Sequence, residues 1–168
     1  DVIFTDPDGG LEHSDGSKDP RETPFNGVYR INAADNSVEL VTGEIESPNG
    51  IVKRDDSPEL LIVDSGRIRS VDMETGAIGV FSDLIHGDIK GGADGMKLDS
   101  RGNLYVSGGE EGIWVISPEG EALGFINMGE PAINMAWGDE DWQTLYVCTR
   151  PSLYRIRMKV AGQQLNPR

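Results

Sequence analysis

Cysteine and histidine are scarce in this chain of 168 residues, which contains one cysteine and two histidines. The single cysteine, Cys148, excludes an internal disulfide framework and a CxxC-type metal site. His13 and His86 are far apart and lack HExxH-like spacing. A zinc site built on imidazole is therefore disfavoured, as is a Ser-His-Asp mechanism, since no nucleophile elbow surrounds Ser14 or Ser65.

Long apolar runs are also missing. No stretch approaches the roughly 20 residues that a membrane-spanning helix needs. The first residues have neither the basic start nor the apolar length of a signal peptide. Because Val2 to Thr5 is already predicted to be a strand, we expect the chain to begin inside the fold, and an export signal could precede residue 1. A soluble protein is expected, with the cytoplasm and export both left open.

Basic residues are few, at 15 Lys and Arg against 29 Asp and Glu, which gives a formal charge of −14. A nucleic-acid backbone or an anionic membrane surface would be repelled, so neither is expected as a partner. The acidity is compatible with divalent cations. Most of these charges are nevertheless expected to be a solvated surface that keeps the protein soluble.

Short alternating apolar groups separated by Gly, Pro, Asn and Asp fill the chain, which has 22 glycines. No window holds a helical apolar stripe, so the pattern predicts an all-β fold of fourteen strands. Three of these strands, expected at 51–53, 96–98 and 133–137, each follow a polar segment. The polar residues of those segments are expected in loops that lead into the strands.

Sequence repeats give the architecture. Leu60-Leu61-Ile62-Val63, Leu104-Tyr105-Val106-Ser107 and Leu145-Tyr146-Val147-Cys148 are one element three times. Repeats of about 40 to 45 residues with four strands each are the signature of β-propeller blades. We predict about three and a half blades over residues 1–160, with an insertion at 7–26 that could cover the channel mouth and a flexible tail at 161–168. Closed propellers need more blades, so the chain is part of a longer polypeptide, or a second copy or complementary chain completes the ring.

Polar residues recur at blade-like intervals at the starts of the predicted inner strands. Asp94 lies between glycines, Asn49 lies 45 residues earlier in Pro48-Asn49-Gly50, and Asn134 lies 40 residues later. Asn-Gly and Asp-Gly pairs also simply make turns, which is the better interpretation of a single occurrence. The shared register favours a cation site instead, in which adjacent blades aim oxygen atoms at one axis.

Six short motifs in order resemble the gluconolactonase and senescence-marker-protein-like family. They are Phe4-Thr5-Asp6-Pro7, Gly27-Val28-Tyr29-Arg30-Ile31, Pro48-Asn49-Gly50-Ile51, Ala93-Asp94-Gly95-Met96, Gly102-Asn103-Leu104-Tyr105-Val106 and Thr144-Leu145-Tyr146-Val147. The resemblance implies a six-bladed propeller with one divalent metal in the central channel and hydrolysis of lactones or phosphoester-like substrates. A small-molecule sugar lactone or related lactone is the expected partner.

The same resemblance implies site residues. Asn49 and Asp94 match two metal ligands of the family, with Ala93 in place of the usual proline. The family's first-blade Glu ligand and a further Asn ligand have no counterpart in these residues. Asn134 is expected to line the channel, where contact with a ligand or substrate and a purely structural role are both left open. From their places in the sequence, His13 in the insertion is expected to contact substrate, and His86 is expected in a solvated loop.

The expected chemistry is that of a hard cation. Ca²⁺ takes about 6 to 8 oxygen ligands and is favoured here, with Zn²⁺, Mg²⁺ and Mn²⁺ as alternatives. The cation would polarise the lactone carbonyl, and Asp94 is the candidate for both ligand and base. The competing hypothesis is a non-catalytic propeller fragment that serves as a binding or scaffold module.

Overall fold

A computed structural model describes residues 1–55, 57–83, 92–108 and 111–164. It has fourteen strands and one short 3₁₀ turn at Asp8–Leu11. The strands are β1 (Val2–Asp6), β2 (Gly27–Ile31), β3 (Val38–Thr42), β4 (Pro48–Lys53), β5 (Glu59–Asp64), β6 (Arg67–Asp72), β7 (Ile78–Ser82), β8 (Ala93–Leu98), β9 (Leu104–Gly108), β10 (Gly112–Ile116), β11 (Ala122–Asn127), β12 (Ala132–Gly138), β13 (Thr144–Thr149) and β14 (Leu153–Arg157). The all-β prediction is confirmed. No helix among the described residues has the length and apolar character to cross a membrane.

The strands form four antiparallel meanders in chain order. They are β1-β2-β3, β4-β5-β6-β7, β8-β9-β10-β11 and β12-β13-β14. We call them blades 1 to 4. Fourteen strands at four per blade make three and a half blades, as the repeat predicts. The first strands of blades 2, 3 and 4, which we call the inner strands, lie side by side: β4 contacts β8, and β8 contacts β12.

Apolar residues pack between the blades, so each blade is stabilised by the next. Leu60 and Ile62 of blade 2 pack towards blade 1, whereas Leu61 and Val63 of the same strand pack towards blade 3. A third cluster joins blades 3 and 4 and contains Trp137. Each fully buried Leu or Ile stabilises such an interface by about 1.5–3 kcal/mol. Alternate side chains of β5 therefore pack into two different interfaces, which explains why its apolar run is unbroken.

The predicted strand starts are wrong at the inner strands. β4 begins at Pro48 rather than Ile51, and β8 begins at Ala93 rather than Met96. The residues expected in loops thus lie within strands, between paired residues. The Asn-Gly and Asp-Gly dipeptides suggested turns, but here they fall within strands.

The C-terminal tail is hydrogen-bonded to the blades through Ala161 and Gln163, and its flexibility stays a prediction. Ser100 donates its backbone N–H to the carbonyl of Ala161 at 2.8 Å, and Gln163 donates to Leu98 at 3.0 Å. These bonds lay the tail across the ends of the inner strands. The last four residues lie outside the described part of the chain.

Candidate metal and substrate site

Two inner strands carry a β-bulge at the same place. In β4, Pro48 pairs with Asp64 and Ile51 with Ile62, so two residues lie opposite one. Those two residues are Asn49–Gly50. In β8 the bulged pair is Asp94–Gly95, between Ala93 and Met96. A bulge bends its strand and redirects a side chain, and bulges are common beside functional sites. The bulges therefore give Asn49 and Asp94 equivalent positions on adjacent blades.

The third inner strand has its own bulge, but its polar residue is shifted. Ala132 pairs with Thr149 and Asn134 pairs with Cys148. Ile133 therefore occupies the position of Asn49 and Asp94, and Asn134 occupies that of the bulge glycines. The register predicted for Asn134 is wrong by one residue. The prediction matched Asn134 to Asn49 because both side chains are amides. Equivalent positions are instead set by which residues pair with the neighbouring strand on either side of the bulge.

The three bulges contact one another through their glycines. A Cβ atom added to Gly50 would lie 2.1 Å from the backbone oxygen of Asp94. A Cβ atom added to Gly95 would lie 2.2 Å from Oδ1 of Asn134. Neither glycine has a positive φ, so glycine is needed here for close approach and not for backbone conformation. The row of bulges is therefore packed so closely that the positions of Asn49, Asp94 and Asn134 depend on one another.

Asp94 is a partly buried carboxylate beside an amide. Burial raises the pKa of Asp94, and the neighbouring side chain of Asn49 opposes that rise. Within the described ranges, no Lys or Arg forms an ion pair with Asp94. The two oxygen-bearing side chains predicted as ligands thus lie at equivalent places on adjacent bulges. Within the described residues, no Lys or Arg offsets the negative charge of Asp94.

Side chains from the preceding blade hold these bulges. The hydroxyl of Thr5 donates to the backbone oxygen of Asn49 at 2.8 Å, and the hydroxyl of Ser107 donates to that of Ile133 at 2.8 Å. Cys148, at the matching place in β13, instead contacts Asn134 O of its own blade through Sγ at 3.3 Å. This role of Thr5 and Ser107 was not predicted. The signal was the repeat itself, because the two residues hold the same place in aligned copies.

The insertion at 7–26 attaches close to this end of β4. The side-chain amide of Asn26 donates to the backbone oxygen of Glu46 at 2.6 Å and to Asp8 at 3.3 Å. Glu46 lies three residues before Asn49 in the chain. His13 forms an ion pair with Asp19 at 3.0 Å, and both side chains are more than half exposed.

Other candidate ligands contribute little to the described site. No hydrogen bond or ion pair among the described residues joins His13 to Asn49, Asp94 or Asn134. His86 lies outside the described residues. The described ranges also hold no group of three or more His, Cys, Asp or Glu that could bind a metal. Within these ranges, Asn49 and Asp94 are the pair that the fold brings together.

Fold and site together define a partial β-propeller with oxygen-bearing bulges on adjacent inner strands. Residues 3–150 match the family described as SMP-30/Gluconolactonase/LRE-like region. A gluconolactonase from Zymomonas mobilis subsp. mobilis is 31% identical over 175 residues, covering 96% of this chain and 48% of that protein. The chain therefore belongs to the SMP-30/gluconolactonase/LRE-like family. It spans about half the length of this curated relative.

Two solved structures show the same fold. A gluconolactonase of Xanthomonas campestris has a TM-score of 0.77 at 24% identity, covering 96% of this chain and 53% of that one. A calcium-binding protein, regucalcin, from Agrobacterium tumefaciens has a TM-score of 0.71 at 23% identity, covering 84% of this chain and 55% of that one. At this identity the likeness supports the propeller-type fold alone.

Proposed function

We propose that this chain is part of a metal-dependent hydrolase that opens a sugar lactone or a related lactone. The observation that carries the proposal is the placement of Asn49 and Asp94 at equivalent bulge positions on adjacent inner strands, where the Asn49 side chain lowers the pKa of the Asp94 carboxylate. Membership of a family that includes a gluconolactonase supports the reaction class.

The residues fit a hard divalent cation. Carboxylate and amide oxygens are ligands that Ca²⁺ accepts, with water completing its shell. A partly buried carboxylate with no ion-pair partner in the described chain gains most from such a cation, because burial penalises its unpaired charge. Asn49 and Asp94 would hold the cation. Ca²⁺ is favoured, with Mg²⁺, Mn²⁺ and Zn²⁺ as alternatives.

When bound, the cation would polarise the lactone carbonyl and offset the negative charge that develops on its oxygen. The protein's own contribution is to place and activate water. Asp94 is the candidate base, since a partly buried carboxylate at this place can accept a proton from the attacking water. Asn49, at the equivalent place on the adjacent bulge, would orient that carboxylate. Asn134 lies in the bulge of β12, against Gly95 of β8, and is a candidate to hydrogen-bond a polar substrate. His13 remains a candidate substrate contact from the insertion.

The alternative function is a binding or scaffold module without catalysis. It is favoured by the small number of ligands, because the described part of this chain offers two oxygen-bearing side chains, and the family resemblance implies more. A second copy or a complementary chain that completes the ring would supply further ligands.

One experiment separates these possibilities. Calcium binding is measured by calorimetry, and hydrolysis of glucono-δ-lactone is followed with calcium and with chelator, for the wild type and Asp94→Asn. Glu74→Gln is the matched control, because it removes one negative charge at an exposed hairpin turn. We expect calcium-dependent hydrolysis in the wild type and in the control. Asp94→Asn is expected to lose at least about tenfold in calcium affinity and most of the activity.

Three outcomes would change this assignment. Unchanged calcium binding in Asp94→Asn would remove Asp94 from the site. Calcium binding that needs Asp94 but brings no lactone hydrolysis would support the binding module. Activity insensitive to chelator would overturn the metal-dependent mechanism.

A further inference from the structure

A cavity of about 500 Å³ lies at the other end of the inner strands from the bulges. It is bounded by the last residues of β4, β8 and β12 and by the C-terminal tail. Its apolar lining includes Ile3, Ile51, Leu60, Leu98, Trp137 and Trp142. The volume falls in the range of about 300–1,000 Å³ that is usual for small-molecule sites.

The tail forms one wall of this cavity. Gln163 bridges two blades, since its backbone N–H donates to Leu98 at 3.0 Å and its side-chain amide donates to the backbone oxygen of Lys53 at 3.3 Å. Gly162 lies against the indole of Trp137, where an added Cβ would come within 2.0 Å of Cγ. The tail thus holds one face of the Trp137 ring, and the ring forms part of the cavity wall.

The charges on the cavity wall are basic, although the whole chain carries −14. Lys97 and Lys53 line the cavity together with one acid, Asp1. The Asp1 carboxylate already accepts the backbone N–H of Ala33 at 3.0 Å. Lys97 donates to the backbone oxygen of Met96 at 2.9 Å, and no carboxylate pairs with it among the described residues.

Holding a charged Lys97 side chain in this partly buried place costs free energy. Burial lowers the pKa of Lys97, because an ammonium group loses hydration without gaining a counter-ion. An anion placed beside it would remove that penalty. The neighbouring surface is aliphatic and aromatic, so the rest of a suitable ligand must be apolar.

We propose that this cavity binds a small amphipathic carboxylate, with its carboxylate paired to Lys97 and its aliphatic chain against Leu60, Leu98 and the indole of Trp137. The site is separate from the bulges and needs no divalent cation. A charge-assisted hydrogen bond in a sheltered pocket supplies orientation and discrimination, and the apolar wall supplies burial of the chain.

Octanoate is the probe, and octan-1-ol is its neutral counterpart. Binding is followed by tryptophan fluorescence in the presence of chelator, because Trp137 and Trp142 line the cavity whereas Trp114 packs on Phe125. The test variant is Lys97→Met, which keeps the apolar stem. Lys159→Met is the matched control, since it removes an exposed lysine outside the cavity.

We expect saturable octanoate binding at one site, weakened about tenfold or more in Lys97→Met and unchanged in Lys159→Met. Octan-1-ol is expected to bind the wild type and Lys97→Met equally, which also reports that the variant keeps its fold. The proposal is overturned if octanoate does not bind, if Lys97→Met binds it as tightly as the wild type, or if octan-1-ol competes equally well in the wild type. Because calcium is absent throughout, none of these outcomes depends on the proposed hydrolase.

Discussion

Gly50→Ala tests whether the closeness of the bulges creates the site. The added Cβ would lie 2.1 Å from the backbone oxygen of Asp94, 3.2 Å from its carbonyl carbon and 3.3 Å from Cα of Gly95. All three atoms belong to the backbone of β8, so no side chain can rotate away. Gly50 does not have a positive φ, and alanine therefore introduces a steric change without backbone strain.

The size of the effect follows from these distances. Ordinary van der Waals contact begins near 3.4 Å, so the 2.1 Å approach must open by about 1.3 Å. Overpacking of this kind costs about 1–3 kcal/mol of stability. A misplacement of about 1 Å in a catalytic arrangement costs about 10²-fold in rate. We therefore expect Gly50→Ala to lose calcium affinity and about 10²-fold in lactone hydrolysis while still folding.

The control is Gly124→Ala in β11, where an added Cβ meets no atom within 4 Å. It measures the general effect of alanine for glycine, which is about 0.4–1 kcal/mol through the unfolded chain. Denaturant unfolding gives the stability of each variant, and calorimetry gives calcium affinity. If Gly50→Ala binds calcium as Gly124→Ala does, the proposed dependence of Asp94 on the packing of β4 is refuted.

Two further predictions concern the same site. Thr5→Val removes the hydroxyl that donates to the Asn49 carbonyl and should weaken calcium binding by about 0.5–1.5 kcal/mol. Thr5→Ser keeps the hydroxyl and should keep the calcium affinity of the wild type. Equal calcium affinities of the two variants, measured by calorimetry, would mean that this bond does not position Asn49. Because burial raises the pKa of Asp94, protons compete with the cation over a higher pH range than at an exposed aspartate, whose pKa is near 3.8. Calcium affinity should therefore fall as the pH drops through that raised pKa, and a calcium affinity that is flat over the acid range would contradict it.

The raised pKa of Asp94 also makes the stability of the fold depend on pH, with the sign opposite to that of a salt-bridged aspartate. A carboxyl with a raised pKa in the folded chain stabilises the fold below its unfolded pKa, and that contribution is lost as the pH rises through the folded pKa. Without a cation, Asp94 therefore destabilises the protein at neutral pH. A bound cation offsets that cost, so calcium should raise the melting temperature of the wild type more than that of Asp94→Asn.

The fold was predictable because strand alternation and hairpin turns are local signals. The blade repeat appears in elements such as Leu60–Val63 and Leu104–Ser107, whose apolar residues pack between blades. The bulges were harder, because two residues opposite one break the alternation that identifies a strand. Asn49–Gly50 therefore resembled a loop. The bonds of the tail to Leu98 and Ser100 were not predicted either, since they involve backbone atoms and do not depend on residue type.

The site could be predicted only where residue type and register agree. Asn49 and Asp94 satisfy both conditions, whereas Asn134 satisfies the first alone. Val63 shows the converse case. It holds the place in β5 that Thr5 holds in β1, but it has no hydroxyl and packs with Ala93 beside the bulge of Asp94. An apolar neighbour there is consistent with the burial that raises the Asp94 pKa, because a hydroxyl would bring a polar group to the same surface. The repeat thus uses a hydroxyl to hold the bulge of the amide and an apolar side chain beside the bulge of the acid.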